Sequence, residues 1–200
     1  MPKTKEKAEH FARLHEREDK ALILPNAWDA GSARMLEAMG FEAIATTSAG
    51  YAFSQGKCDW PGEVSRDEAM AHCKVMVKAT ALPVSADLEN GFGLRPDTVA
   101  ETIRQAGAAG LAGCTIEDTS GKHDAPIIDF QHSVERISAA VEARNALKRP
   151  FVLTARAENF LHGKPDLDDT ISRLIAFEAA GADVLYAPGL SSLEQIETVC

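Results

Sequence analysis

The sequence predicts an α/β chain built as a (β/α)8 barrel of the TIM type, with about six βα units present in its 200 residues. Three observations predict it. Short apolar runs alternate with amphipathic segments, polar residues crowd the ends of several consecutive runs, and no glycine fingerprint follows the first run. A dinucleotide-binding doubly wound sheet carries that fingerprint and places its site at one switch point. A barrel instead builds its site from the C-terminal ends of many neighbouring strands.

The elements follow in order. The opening "MPKTKEKAEHFARLHEREDK" is charged throughout and has no apolar h-region, so it does not read as a secretory signal. Ala8, Phe11 and Leu14 recur three apart and predict a helix at about 5–18 that docks on the body. Strand-like runs lie at 21–27, 42–47, 82–87, 112–117, 151–156 and 183–188. Helix-like segments lie at 29–39, 64–80, 96–109, 129–147, 167–180 and 191–199, and Asp29 reads as the cap of the first of these. Continuous apolar strands separated by helices pair in parallel, buried on both faces.

An internal echo supports the repeat. "EAMGFEAI", "AGAAGLAGCTI" and "EAAGADVLY" each close a helix on glycine and begin a strand, with Gly40, Gly110 and Gly181 about 70 residues apart. Glycine suits the left-handed residue that ends a helix before a short loop. A closed barrel takes about 250 residues, and an open six-stranded sheet exposes apolar edges. The expectation is therefore one domain over 1–200, truncated at its C-terminus within the last helix.

Composition narrows the partners. There are 21 Lys and Arg against 30 Asp and Glu, a net charge of −9 with no basic block, which excludes nucleic acid and anionic membranes as natural partners. No apolar stretch approaches the length of a membrane span. Cys58, Cys73, Cys114 and Cys200 show no CxxC pairing, which fits a reduced, cytoplasmic setting.

The chemistry concentrates at strand ends. In "PVSADLENGFG", Asp87 and Glu89 stand two apart, so strand alternation predicts that both face the barrel mouth. Glu117 ends the next strand, and Asp59 lies in the loop "QGKCDWPGE". Carboxylates crowded in a partly dry space need a cation, and an all-oxygen set without His or Cys selects Mg2+, or Mn2+ in its place, over zinc. The competing reading for each acid is a salt bridge or a turn cap. Arg156 and Glu158 show the same two-residue spacing: Arg156 would clamp a substrate carboxylate while Glu158 orients it, unless the two only brace the rim. Thr47, Ser48 and Ala49 lie in a small-residue segment whose backbone amides could cradle an oxyanion. Lys122 and His123 lie in a loop long enough to move over the site. His72 and His132 read as ordinary helix-face residues.

"LPNAWDAGSARMLEAMGFEAIATTSAG", "SADLENGFG", "TIEDTSG" and "TARAENF" together resemble the isocitrate lyase/phosphoenolpyruvate mutase superfamily, from about residue 20 to the end. The resemblance implies a (β/α)8 barrel forming dimers or tetramers, acting on 2-oxo or 2-hydroxy acids with Mg2+ at the mouth. It implies Asp87 as direct metal ligand, with Asp59, Glu89 and Glu117 acting largely through water. It also implies Thr47, Ser48 and Ala49 around the substrate carboxylate or enolate oxygen, and Arg156 as the substrate-binding arginine. One stretch departs from the pattern. Isocitrate and methylisocitrate lyases carry a lysine–cysteine–glycine–histidine loop after strand four whose cysteine supplies a proton. Here "DTSGKHDAPIID" contains no cysteine, and Cys114 falls inside the strand. The asparagine-containing motif of the phosphonate-bond members is also absent from it.

The expected activity is an Mg2+-dependent lyase or decarboxylase that cleaves a C–C bond of a small 2-oxo or 2-hydroxy acid through an enolate. Arg156 and Glu117 would serve catalysis, with Lys122, His123 or a water as proton donor. The alternatives are a phosphonopyruvate-type P–C mutase or hydrolase, and a 2-oxo-acid-binding barrel without catalysis.

Overall fold

Every predicted helix-to-strand junction of the repeat closes on a left-handed glycine: φ is +87° at Gly40, +92° at Gly110 and +102° at Gly181. The structure, a computed structural model, describes residues 3–59 and 62–200; Trp60 and Pro61 of the quoted 59-region loop lie outside the described residues. Six strands alternate with helices and pair in parallel in sequence order: β1 (Asn26–Ala27), β2 (Ile44–Thr46), β3 (Val84–Asp87), β4 (Gly113–Glu117), β5 (Val152–Arg156) and β6 (Val184–Tyr186). The sheet is an arc of a barrel with β1 and β6 at its edges. The helices are α1 (Thr4–His15), α2 (Ala30–Ala38), α3 (Ser48–Ser54), α4 (Arg66–Ala79), α5 (Pro96–Ala109), α6 (Phe130–Asn145), α7 (Leu167–Ala179) and α8 (Leu193–Val199). Among the described residues no helix is long and apolar enough to cross a membrane.

Alternation along the strands separates core from lumen. In β4 and β5, Cys114, Ile116, Leu153 and Ala155 are fully buried, while Thr115, Glu117, Thr154 and Arg156 are the partly accessible alternate set. The buried set belongs to a core that includes Ile103, Leu174 and Phe177 of the surrounding helices. Thr115, Thr154 and Arg156 of this alternate set, with Thr46, Ser85 and Asp87, line a cavity of about 450 Å3 inside the arc. Parallel register places Asp87 beside Thr115, and Glu117 beside Arg156. Glu117 and Arg156 are thereby level with each other, and Asp87 lies one same-facing position earlier in register.

Three local differences from the sequence expectation have plain causes. The run 21–27 forms ladder only at Asn26–Ala27, because Pro25 has no amide to donate, although its carbonyl still accepts from Ala45 N at 2.9 Å. The N-terminal helix is Thr4–His15 and stops short of residue 18; it buries Ala8, Phe11 and Leu14 against Ala43, Ala112 and Val152. The segment after β2, read as an open small-residue loop, is the short helix α3, capped by Thr47, whose Oγ1 accepts from Gly50 N at 3.1 Å.

Candidate functional site

Asp87 ends β3 and is fixed on every side. Its own amide donates to Thr46 Oγ1 at 3.0 Å. Its Oδ2 accepts from both Ser48 N (3.1 Å) and Ser48 Oγ (2.8 Å) at the start of α3. Its Oδ1 is engaged only weakly, by Glu89 N at 3.3 Å and by Thr115 Oγ1 and Arg156 Nη1 at 3.4 Å. One oxygen is thus committed to holding the side chain, and the other keeps lone-pair capacity toward the lumen.

Glu89 reaches this region by a route that strand alternation does not describe. The ladder ends at Asp87, and Glu89 takes a left-handed backbone with φ +50°. Its carbonyl then accepts from Glu117 N at 3.0 Å, tying the β3 turn to the end of β4. Burial, with the charges of Asp87 and Asp59, pushes its carboxyl up to about 7. Asp59 is raised by partial desolvation and by Asp87.

Arg156 stands at the centre. Its Nε donates to Glu158 Oε1 at 2.6 Å, Nη1 faces Asp87 Oδ1 at 3.4 Å, and Nη2 faces Glu117 Oε2 at 3.4 Å. The guanidinium lies 5.5 Å over the Tyr186 ring. Burial opposes its charge, but Asp87, Glu158 and Glu117 outweigh burial and raise its pKa. One cation does not neutralise this many acids. Desolvation, with Glu158 and Asp87 nearby, pushes Glu117 up to about 8 despite Arg156, and burial raises Glu158 despite the same arginine. Glu158 is 0% exposed, so it orients Arg156 from behind and does not itself face a ligand. The rim-bracing and clamp-orienting readings of this pair describe the same contact.

A buried outer network holds the cluster. Thr119 Oγ1 donates to Glu117 Oε1 at 2.7 Å, and Arg136 Nη1 donates to the Glu117 carbonyl at 3.1 Å. Asp118 accepts from Glu158 N at 2.9 Å and pairs with Arg173 at 3.2 Å. Sequence reasoning did not single out Arg136 or Arg173. The available signal was an arginine on each helix's apolar face: Arg136 beside Ile137 and Ala140, Arg173 beside Leu174 and Phe177.

The remaining candidates divide. Ser48 is in direct contact with Asp87, while Thr47 is occupied as the α3 cap and Ala49 follows within that helix. Lys122 and His123 are exposed, in an excursion pinched at its base by an antiparallel bridge between Thr119 and Ile127. Asp29 caps α2 through Ser32 N at 2.7 Å. His72 stacks on Tyr51 at 4.0 Å, and His132 Nε2 lies 2.8 Å from the Leu94 carbonyl. Cys114 is fully buried and its thiol is pushed well up by desolvation.

The donor set can be tested against a metal. Among the described residues no three His, Cys, Asp or Glu side chains stand close enough to hold one ion together. The set is nevertheless all oxygen, and Asp59, Glu89 and Glu117 each carry a pKa raised partly by the charge of Asp87. That arrangement suits a cation that keeps most of its water and takes one direct carboxylate, as Mg2+ does, and it does not suit a closed tetrahedral site.

Comparison with known proteins gives the site a context. The family described as phosphoenolpyruvate phosphomutase matches residues 11–200. The chain is 33% identical over 141 residues to an oxaloacetate decarboxylase of Rhodopseudomonas palustris (strain HaA2), covering 68% of this chain and 47% of that protein. A candidate lyase/mutase from Burkholderia cenocepacia J2315 superposes with TM-score 0.94 at 57% identity, covering 98% of this chain and 69% of that one. The crystal structure of 2,3-dimethylmalate lyase, described as a PEP mutase/isocitrate lyase superfamily member, superposes with TM-score 0.89 at 30% identity, covering 100% and 68%. The chain spans between 47% and 66% of the length of curated relatives such as these. Six parallel βα units in the superfamily's order, carrying an arginine among strand-end carboxylates and matched from residue 11 to residue 200, place this chain in the PEP mutase/isocitrate lyase superfamily.

Proposed function

We propose that the chain forms the catalytic arc of an Mg2+-dependent lyase or decarboxylase, cleaving a C–C bond of a small 2-oxo or 2-hydroxy carboxylic acid through an enolate. The observation that carries this reading is Arg156, fixed by Glu158 and standing between Asp87 and Glu117 at the ends of three adjacent strands.

In this reading Asp87 would be the direct ligand of the ion, with Asp59, Glu89 and Glu117 acting largely through its waters. Mg2+, when bound, supplies charge that stabilises the developing enolate oxygen. Arg156 exchanges its two long contacts, each 3.4 Å, for a substrate carboxylate, while the shorter Nε contact to Glu158 keeps it aimed. In this reading the start of α3, with Thr47, Ser48 and Ala49, would set the substrate against Asp87. Ser48 does so while bonded to Asp87, so its position is fixed before substrate arrives. Glu117, beside Arg156 at the end of β4, orders water beside the reacting carbon. The proton that completes turnover comes from water, or from Lys122 or His123 if their exposed excursion folds over the mouth. The working form in this reading is a homo-oligomer.

The test uses the full chain with MgCl2 or with EDTA, and follows pyruvate release from oxaloacetate and cleavage of 2,3-dimethylmalate. Activity that requires Mg2+ and disappears in Asp87→Ala is expected; an Asp87→Ala enzyme that keeps its rate sinks the assignment. The phosphomutase family match favours a second reading, P–C chemistry on phosphonopyruvate, and turnover of that compound alone would select it. Oxalate binding without turnover of any acid would select a binding barrel.

A further inference from the structure

Among the buried polar atoms without a partner in the described residues, Glu158 Oε2 stands directly behind Arg156. Glu158 is 0% exposed; its Oε1 accepts from Arg156, but its Oε2 has no hydrogen-bond partner among the described residues. An unsatisfied buried carboxylate oxygen is costly, and such an atom in a folded protein calls for an explanation. His162 Nε2 lies 4.0 Å from that oxygen, about 1 Å beyond hydrogen-bond reach. The imidazole is part-exposed at the rim, so it can meet both the buried acid and the mouth.

The backbone holds His162 there. Its amide donates to the Glu158 carbonyl at 3.1 Å, and Lys164 N donates to the Asn159 carbonyl at 2.8 Å, which closes a compact turn. Gly189, just past β6, lets that turn pack closely, since a Cβ there would lie 3.1 Å from Phe160 Cβ. The charged groups facing the ring are Glu158, Arg156 of β5 and Asp59 of the loop after α3. Burial and Arg156 lower its pKa against the pull of Asp59, which favours a neutral ring that donates from one nitrogen.

We propose that His162 is a positioning residue for the Arg156 clamp: its Nε2–H faces Glu158 Oε2 in the free protein and closes on it as a full hydrogen bond when a ligand carboxylate engages Arg156. A ligand anion shares the charge of Arg156, which leaves Glu158 in need of a second donor, and His162 supplies it. The step forms one hydrogen bond and transfers no proton. It rests on the proposed role of Arg156 as the carboxylate anchor.

The test pairs a ligand-free measurement with a binding one. In the full chain, 15N NMR of the His162 ring is expected to report a protonated Nε2 whose signal moves in Glu158→Gln. If that variant does not fold, Glu158→Asp, which keeps the charge but withdraws it, serves instead. An unmoved signal overturns the pairing. Oxalate titrated calorimetrically in MgCl2 is expected to bind His162→Ala about tenfold more weakly than wild type, the size of one hydrogen bond to a charged group. His162→Gln, which keeps an N–H at similar reach, is expected to return within about twofold, with melting temperatures alike in the two variants. Equal loss in both variants, or loss in neither, overturns the proposal. If oxalate fails to bind wild type, the anchor role of Arg156 falls, and the ring signal alone decides whether His162 pairs with Glu158.

Discussion

Arg156 carries one charge against three carboxylates, and only the contact to Glu158 is short. Removing it therefore has two separable effects. Arg156→Ala leaves Glu158 buried without its cation and is expected to cost about 3–5 kcal/mol of stability in urea denaturation. Arg156→Lys keeps a charge but loses the fork that meets three acids at once. It is expected to stay folded and to bind oxalate at least about tenfold more weakly by calorimetry. A lysine variant with wild-type affinity would mean that the fork is not what the ligand meets. At this scale the sequence was legible wherever strand alternation rules: Asp87, Glu117 and Arg156 fall at ladder ends, where period two and register fix their direction. Glu89 lies outside that rule: alternation put it on the strand beside Asp87, but its left-handed turn obeys no period. The tie between Glu158 and His162 was hidden, because which oxygen is satisfied is a three-dimensional property.

Among the elements, α1 shows how much a simple spacing reveals. Ala8, Phe11 and Leu14, three apart, are each at most 2% exposed, and they seal the arc at Ala43, Ala112 and Val152. The Phe11 ring lies so close to Gly113 that a Cβ there would meet it at 2.9 Å, and would meet the Val152 carbonyl at 2.5 Å. Phe11→Ala is expected to cost about 3–5 kcal/mol through a cavity at this face, with the oxalate affinity of the folded fraction unchanged. Chemical denaturation and calorimetry on the same variant check both parts; an affinity loss matching the stability loss would tie α1 to the mouth. Period-based reading served α2 and α4–α7 as it served α1. It failed for α3, whose seven residues, Ser48–Ser54, are too few to show a helical period and begin with small side chains. The Thr119–Ile127 bridge was equally invisible, since one antiparallel pair leaves no pattern.

Over the whole molecule, the carboxylate cluster makes stability depend on pH in a direction set by its raised pKa values. An acid whose folded pKa exceeds its unfolded value, about 4.3 for Glu, binds its proton more tightly when folded. Its contribution is lost as pH rises toward the folded pKa. Glu89 near 7 and Glu117 near 8 extend that loss to about pH 8. The lowered pKa values of His72 and His162 act oppositely, since the unfolded chain then binds more protons, but their effect ends near the ordinary histidine value of about 6.5. Between pH 6.5 and 8 the carboxylates act without that opposition, so the Tm of the full chain in EDTA is expected to fall across this window. Glu117→Gln removes the larger titration and should flatten the fall. Saturating Mg2+ should flatten it too, because a bound cation keeps these acids ionised without penalty and stabilises the folded state by its own binding. Scanning calorimetry at several pH values, with EDTA or MgCl2, decides it. A slope that persists unchanged in Glu117→Gln would place the titration elsewhere, and a slope indifferent to Mg2+ would separate these carboxylates from the metal they are proposed to hold.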